Sequence, residues 1–220
     1  MSKIILIGSS GHARVVIDVI ESQGLFEIIG LIDDFRSLGE GSCGYPVLGK
    51  VSDVAEICAR QGVDGGLVAV GDNFARSLIQ RKISTVYPTF RFITAIHPSA
   101  VVSARAQIGM GVVVMPGAVV NVGCVVGDSC IVNTHAVLEH DSIMEEFSSL
   151  APSAVTGGNV HIGRFSAIAL GATLRNGVAV GEHTVIGAGA VVTHSIAAYR
   201  VAYGMPARVV RERTEGEVYL

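Results

Sequence analysis

A six-residue repeat in the second half of the chain constrains its fold more than any other feature. From residue 102 to residue 192, every sixth position is aliphatic or methionine, and Thr156 is the single exception. The position two residues before each of these carries alanine, serine, cysteine, threonine or valine. The sixteen positions of the main series are Val102, Ile108, Val114, Val120, Val126, Val132, Leu138, Met144, Leu150, Thr156, Ile162, Ile168, Leu174, Val180, Ile186 and Val192. A sustained period of six predicts a hexapeptide β-helix, in which three short strands close one triangular coil.

An antiparallel sheet rich in valine and glycine is the alternative structure for such a sequence. Strands of that kind alternate apolar and polar residues with a period of two. Sixteen hexads in one unbroken register favour the β-helix, with about five coils that bury their apolar faces on one another.

Length, composition and charge limit the number of domains and the kinds of partner. The hexads take less than half of the 220 residues, so we expect the first hundred to form a separate unit. Half of the residues are hydrophobic and 16% are charged, which suits a well-buried core and a subunit interface. A net charge of −3 favours neither a nucleic acid nor a membrane as partner.

Targeting signals and cysteine spacing bear on the cellular location and on metal and disulfide sites. The apolar run at residues 4–7 is too short for a signal peptide, and no run is long enough to span a bilayer, so we expect a cytoplasmic protein. Of the four cysteines, Cys124 and Cys130 fall on the small position of consecutive hexads, and no C-x-x-C pair occurs. We therefore predict neither a metal site nor a disulfide.

The first hundred residues alternate apolar runs with amphipathic segments. Strands are predicted at residues 3–7, 28–32, 66–70 and 90–96. The intervening helices are expected to end at Gly24 and to begin at Ser52 and Asn73, which are typical capping residues. This alternation predicts a parallel α/β sheet of the Rossmann type.

The ends of three of these strands carry residues suited to a nucleotide. Gly8 and Gly11 let the backbone approach a phosphate before the first helix begins, and Asp33 lies where an acidic residue commonly accepts a bond from a ribose hydroxyl. Gly71 ends the third strand beside them. A glycine turn can be purely structural, but three strand ends together favour a nucleotide site. The altered glycine spacing and the attached β-helix disfavour NAD and favour a nucleotide-sugar.

Histidine with a neighbouring carboxylate supplies the candidate catalytic group. His140 lies between Glu139 and Asp141, two positions after the inward-facing Leu138, at a corner of the β-helix. A carboxylate orients an imidazole and stabilises its protonated form, as a general base requires. His135 is the nearest rival, and His12 is expected to contact the ligand from the phosphate loop.

Seven short motifs are spread along the chain. They are GSSGHA at residues 8–13, LIDD at 31–34, AVGDN with Arg76 at 69–76, IHP at 96–98, NTHAVLEHD at 133–141, GGNV at 157–160 and GMPAR at 204–208. Together they resemble the bacterial sugar O- and N-acetyltransferases of the sialic acid O-acetyltransferase type, which include the bacillosamine and perosamine N-acetyltransferases. The resemblance covers nearly the whole chain.

The resemblance implies an α/β Rossmann-like domain over residues 1–97 and a left-handed parallel β-helix over residues 98–220. It implies a homotrimer with acetyl-CoA in the groove between adjacent β-helices and a nucleotide-sugar on the first domain. It assigns direct acetyl transfer to a general base at His140, supported by Asp141. It further implies nucleotide-sugar contacts from Ser10, Gly11, His12, Asp33, Asp34 and Gly71, and a CoA groove lined by Gly158, Leu170 and Ala188.

One position departs from the family pattern. Members often carry a second histidine nine residues after the catalytic one, where it contacts acetyl-CoA, and this chain has Ser149 there. A serine hydroxyl can form a hydrogen bond at that place, with a shorter reach.

These observations favour an acetyl-CoA-dependent N-acetyltransferase for a nucleotide-linked amino sugar, with UDP as the expected nucleotide, acting in bacterial surface glycan biosynthesis. The alternatives are a sugar O-acetyltransferase of the sialic acid type and a non-catalytic nucleotide-binding β-helix protein. The intact nucleotide motifs favour the first over the second, and the His140-Asp141 pair argues against the third.

Overall fold

A six-stranded sheet with helices on both faces forms the first part of the chain. The computed structural model describes residues 1–219. The elements are β1 (Ser2–Ile7), α1 (Gly11–Gln23), β2 (Phe26–Ile32), β3 (Gly41–Ser42), β4 (Tyr45–Gly49), a 3₁₀ turn (Val51–Asp53), α2 (Val54–Gln61), β5 (Gly65–Val68), α3 (Asn73–Val86) and β6 (Arg91–Phe92). The strand order is β3-β4-β2-β1-β5-β6, and all pairs except the β3–β4 hairpin are parallel.

Alternate residues of β1 explain why helices cover both faces of this sheet. Ile4 and Leu6 pack with α1, whereas Ile5 and Ile7 pack with residues of α2 and α3. All four are at most 2% exposed, because successive side chains of a strand point to opposite faces.

The helix caps differ from those that the sequence predicts at two of three positions. Gly24 ends α1 in the left-handed conformation, as predicted, with φ of 68°. The caps predicted at Ser52 and Asn73 are wrong. Ser52 lies within the 3₁₀ turn, and Asp72 caps α3 by accepting a hydrogen bond from the Ala75 N–H at 2.8 Å.

The strand predicted at residues 90–96 is divided between two sheets. Its first part is β6, on the edge of the α/β sheet, and its last part is β7 (Ala95–Ile96), which pairs with the β-helix. The β3–β4 hairpin was not predicted, because neither strand has a sustained apolar run.

The hexads form the predicted left-handed parallel β-helix. Its strands after β7 are β8 (Val101–Val102), β9 (Gln107–Ile108), β10 (Val113–Val114), β11 (Val119–Val120), β12 (Val125–Val126), β13 (Ile131–Val132), β14 (Val137–Leu138), β15 (Ile143–Met144), β16 (Ser149–Leu150), β17 (Val155–Thr156), β18 (His161–Ile162), β19 (Ala167–Ile168), β20 (Thr173–Leu174), β21 (Ala179–Val180), β22 (Val185–Ile186) and β23 (Val191–Val192).

Every third strand pairs in parallel, which creates three faces. The first face runs β7-β10-β13-β16-β19-β22, the second β8-β11-β14-β17-β20-β23, and the third β9-β12-β15-β18-β21. The hairpin of β24 (Arg200–Gly204) and β25 (Ala207–Glu212) extends the first face.

A left-handed backbone conformation recurs at every sixth residue from 111 to 189 and makes the corners. Six of these corners are glycines, namely Gly111, Gly117, Gly123, Gly171, Gly177 and Gly189. The other corners are Ser129, His135, Asp141, Phe147, Ser153, Asn159, Phe165 and His183. None of these is β-branched, in keeping with the steric cost of positive φ.

A buried arginine joins the α/β unit to the β-helix. Arg76 of α3 is 1% exposed, and its guanidinium donates to the carbonyls of Ser129 at 2.8 Å and Phe147 at 3.3 Å in the β-helix. It also donates to the carbonyls of Val70 and Gly71, both at 3.0 Å, and to Asn73 Oδ1 at 2.7 Å. All its partners are neutral oxygens, and burial lowers the pKa of Arg76.

Candidate active site

The turn between β14 and β15 presents a histidine–carboxylate pair to solvent. His140 Nδ1 lies 2.8 Å from Asp141 Oδ2, and the two side chains are 47% and 59% exposed. A carboxylate at Nδ1 favours the tautomer with its proton on that nitrogen. Nε2 is then the acceptor nitrogen, and it forms no hydrogen bond within residues 1–219, which leaves it able to act as a general base.

Two glycines in the neighbouring coils leave room for this pair. A Cβ added to Gly123, one coil earlier, would lie 2.4 Å from Asp141 Oδ1. A Cβ added to Gly158, one coil later, would lie 2.4 Å from His140 Nε2. The family resemblance implied that Gly158 lines the CoA groove, and the structure places Gly158 against the imidazole of His140.

The rival His135 lacks a comparable partner. Its ring packs on Gly117, and among residues 1–219 no carboxylate bonds to it. A second pair, His161 Nε2 with Glu145 Oε1 at 2.8 Å, was not foreseen. The Glu145 carboxylate also accepts a hydrogen bond from the Arg164 backbone N–H at 3.0 Å. Nε2 of His161 is therefore bound to a carboxylate of the third face, unlike Nε2 of His140.

A cavity of about 500 Å³ lies on the first face of the β-helix, under the α/β unit. Its walls bring together five predicted site residues from both parts of the chain, and also a tyrosine that was not predicted. These residues are His12, Gly71, Ser149, Leu170, Ala188 and Tyr219. The cavity is thus placed to hold a ligand between the two units.

His12 enters this cavity as a neutral imidazole. Burial, with the charge of Arg76 as the smaller cause, lowers the pKa of His12 from 6.5 to about 4. Its Nε2 is buried and has no hydrogen-bond partner among the described residues. A buried ring nitrogen without a partner is suited to binding a ligand atom.

Ser149 is held by the α/β unit across the cavity. Asn73 Nδ2 donates to Ser149 Oγ at 3.1 Å, and the Asn73 N–H donates to Tyr219 Oη at 3.2 Å. The Tyr219 phenol is buried, which raises its pKa, while Arg76 and hydrogen bonds from Ser149 and the Asn73 N–H act in the opposite direction. Tyr219 had no sequence signal, because it reaches Ser149 from a segment seventy positions away.

The N-terminus of α1 opens into a separate polar cavity of about 390 Å³ that includes Ser10 and Gly11. Ser10 makes no side-chain cap, and the first turn contains no acidic residue, so the positive end of the helix dipole is not neutralised. Arg14 and Arg36 also line this cavity. Neither arginine was predicted, although Arg14, three positions after Gly11, is a recognisable signal for phosphate binding.

The two aspartates after β2 are partly bonded within the protein. Asp33 accepts from Ser9 Oγ at 2.5 Å and from the Phe35 N–H at 2.9 Å. Asp34 accepts from the Val51 N–H at 2.8 Å and pairs with Lys82 at 2.9 Å. Burial raises the pKa of Asp34, but the bonds from Lys82 and Val51 outweigh it and lower the pKa overall. Both carboxylates border an apolar cavity of about 290 Å³.

His140 does not line the cavity that contains Ser149. It lies between the second and third faces, whereas Ser149 lies on the first face. A separation of nine residues is half a coil, so the two side chains belong to different sides of the β-helix.

The structure also supplies two general findings about residues 1–219. No group of three or more histidine, cysteine, aspartate or glutamate side chains is arranged to hold a metal ion. No helix among them is long and apolar enough to cross a membrane.

Known proteins resemble both parts of the chain. Residues 3–83 match the family described as the PglD N-terminal domain. The UDP-N-acetylbacillosamine N-acetyltransferase of Bacillus subtilis is 32% identical over 116 residues, and the match spans 52% of this chain and 52% of that protein. The chain therefore matches about half the length of this curated relative.

Solved structures cover almost the entire chain. A histidine-to-asparagine variant of perosamine N-acetyltransferase from Caulobacter crescentus, in complex with CoA and GDP-perosamine, is 32% identical with a TM-score of 0.90. The match covers 96% of this chain and 98% of that one. The acetyltransferase domain of PglB from Neisseria gonorrhoeae, in complex with acetyl coenzyme A, is 36% identical with a TM-score of 0.87, over 94% and 98% of the two chains. The chain belongs to the family of bacillosamine- and perosamine-type N-acetyltransferases.

Proposed function

We propose that this protein transfers the acetyl group of acetyl-CoA to the amino group of a nucleotide-linked amino sugar, in the biosynthesis of a bacterial surface glycan. The observation that carries the proposal is the His140–Asp141 pair, in which Nδ1 binds the carboxylate and Nε2 is left to accept a proton. It is supported by full-length relatives that hold CoA together with GDP-perosamine.

The α/β unit binds the nucleotide-sugar in this proposal. The free N–H groups at the start of α1, with Arg14 and Arg36, suit a diphosphate. Asp33 and Asp34 border the apolar cavity next to them, which suits a ribose and a base. Gly71 and His12 then lie on the side of the sugar, toward the β-helix. UDP remains our proposed nucleotide.

The cavity on the first face receives the thioester end of acetyl-CoA. Leu170 and Ala188 supply its apolar wall, and Ser149 and His12 supply polar groups. Because His140 lies on another side of the coil, the proposal requires a second chain whose His140 faces this cavity. A homotrimer with three equivalent interfaces meets this requirement by repeating one contact around a closed ring.

The reaction is a direct transfer. The free amine of the sugar attacks the thioester carbonyl, so that a C–N bond forms and the carbon becomes tetrahedral. His140 Nε2 takes the proton that the amine nitrogen must lose, and Asp141 stabilises the imidazolium at Nδ1. The C–S bond then breaks, and the departing CoA sulfur receives the proton. No acyl-enzyme forms, and both substrates lie in one cleft.

The place of action follows from the substrates. We propose that the protein works in the cytoplasm, where acetyl-CoA and nucleotide-sugars are both available. No observation favours the sialic acid O-acetyltransferase alternative, since the relatives named above act on amino sugars.

Release of free CoA thiol from acetyl-CoA tests the proposal. The acceptors are UDP-, GDP- and dTDP-linked 4-amino sugars and free sialic acid. We expect release with one nucleotide amino sugar. Release of thiol with sialic acid alone would establish the O-acetyltransferase instead. If the protein binds a nucleotide but releases no thiol with any acceptor, the non-catalytic alternative is favoured.

A further inference from the structure

The one polar residue in the aliphatic series interrupts the hydrogen-bond ladder directly before His140. At every sixth residue from His97 to Arg175, the backbone N–H donates to the carbonyl oxygen 17 positions later, in the next coil. Thirteen of these fourteen positions follow the rule, and Glu139 is the exception. Its N–H donates to Thr156 Oγ1 at 2.9 Å.

This exchange changes the pairing of the two strands. Strands β14 and β17 pair only through Val137 and Val155, whereas the strands on either side pair through both of their residues. Leu138 and Thr156, which would form the second pair, do not. The peptide that leads into the turn of His140 is therefore held by a side chain instead of a ladder carbonyl.

A threonine at position 156 destabilises the folded protein unless its hydroxyl forms a hydrogen bond of this kind. It is 1% exposed in a core of aliphatic side chains, and a buried hydroxyl without a partner costs free energy. The Glu139 N–H satisfies it. Valine has nearly the same shape and would continue the aliphatic series, so packing alone does not explain the hydroxyl.

The same turn also makes room for the imidazole. Gly158 follows two positions after Thr156, and its missing Cβ leaves the space occupied by the His140 ring. Residues 156 and 158 of one coil thus both contact the turn of His140 in the coil before it. Thr156 Oγ1 accepts a hydrogen bond from the peptide before His140, and Gly158 leaves space for the ring.

We propose that Thr156 is a positioning residue for His140, and that its hydroxyl aims the imidazole by replacing the ladder bond at Glu139. This inference rests on the proposed acetyl transfer with His140 as base. A displaced base loses rate because general base catalysis depends on hydrogen-bond distance to the attacking nitrogen.

Three variants test this role: Thr156→Val, Thr156→Ser and Thr184→Val. The first removes the hydroxyl and keeps the shape, and the second keeps the hydroxyl. Thr184 is the matched control, because it is also a buried threonine of the β-helix, and its hydroxyl donates to the Ala197 carbonyl at 2.8 Å, far from His140 in the coil. Initial rates with acetyl-CoA and the accepted amino sugar give kcat and KM for each.

We expect Thr156→Val to lower kcat about tenfold to a hundredfold with KM for both substrates unchanged. Thr156→Ser should retain kcat within about twofold, and Thr184→Val should retain kcat whatever its melting temperature. A crystal structure of Thr156→Val should show the carbonyl of residue 156 accepting from the Glu139 N–H.

The inference is overturned if Thr156→Val retains the wild-type kcat, or if Thr156→Ser loses as much as Thr156→Val. Wild type and His140→Ala are measured in the same assay. A silent wild type, or full activity in His140→Ala, would count against the proposed function, whereas an active, His140-dependent enzyme that is indifferent to Thr156→Val would count against this inference alone.

Discussion

Gly158 and His140 are stacked in consecutive coils so closely that a Cβ on the glycine would lie 2.4 Å from Nε2 of the imidazole. This nitrogen is the one left to accept a proton, since Nδ1 is hydrogen-bonded to Asp141. The position of the proposed base therefore depends on the absence of a side chain in the next coil.

Gly158→Ala should displace His140 and leave the fold intact. Its φ is not in the left-handed region, so the backbone accepts alanine and the conflict is with the imidazole alone. We expect kcat to fall about 10²-fold, with nucleotide-sugar affinity unchanged. The control is Gly177→Ala, where nothing lies within 4 Å of the added Cβ, and which should cost about 1 kcal/mol of stability through its positive φ and no activity. Equal kcat in both variants would refute the steric explanation.

Arg76→Lys should destabilise the contact between the α/β unit and the β-helix. A lysine ammonium cannot reach the five acceptors that the guanidinium joins, and buried carbonyls would be left without donors. We expect a loss of about 3 kcal/mol in the free energy of unfolding, measured by denaturant titration. Arg81→Lys, on the exposed side of the same helix, should change it by less than about 0.5 kcal/mol. Similar values for the two variants would contradict the role of Arg76.

His12 should make the protein less stable in mild acid. Its pKa is about 4 in the folded protein and 6.5 in the unfolded chain, so below pH 6.5 the unfolded chain takes up a proton that the folded protein does not. The free energy of unfolding should therefore fall between pH 6.5 and pH 4, by about 3 kcal/mol at most, and should be unaffected above pH 7. His12→Asn should reduce this slope, and an unchanged slope would show that His12 is not the group responsible.

If the protein is the proposed homotrimer, two inactive variants should restore activity when they assemble together. His140→Ala removes the base, and Leu170→Arg fills the first-face cavity from an exposed position. If each site combines one chain's His140 with another chain's cavity, equal co-expression should give about one quarter of the wild-type rate. Separately purified proteins mixed without subunit exchange supply the baseline. A co-expressed sample no more active than that baseline would mean that each site lies within one chain.

The β-helix could be predicted from the six-residue repeat, because each short strand places one residue inward and a corner follows at the same position of every hexad. Thr156 broke that register visibly in the sequence, but its partner Glu139 could not be named without the coil geometry. The cap predicted at Asn73 failed because the neighbouring Asp72 accepts the hydrogen bond from the Ala75 N–H. The cap predicted at Ser52 failed because the chain enters α2 through a 3₁₀ turn, in which Asp53 accepts from the Lys50 N–H and no side chain among the described residues caps α2.

Some site residues could likewise be identified from the sequence alone, and others only from the fold. His140 and Asp141 are adjacent in sequence, so their pairing could be predicted. Tyr219 and Arg36 reach their cavities from distant segments and carry no local pattern. Ser149 appeared as a lone substitution, and only the fold reveals that Asn73 and Tyr219 are its partners.

The most direct test of the account is the rate of acetyl transfer by His140→Ala, measured beside calorimetric binding of the nucleotide amino sugar. We predict a rate loss of about 10²-fold to 10⁴-fold, with sugar affinity unchanged, because the base acts only in the chemical step. His135→Ala, the neighbouring corner histidine, should keep the wild-type rate. A rate for His140→Ala within a few-fold of wild type would contradict the central claim that this imidazole takes the proton.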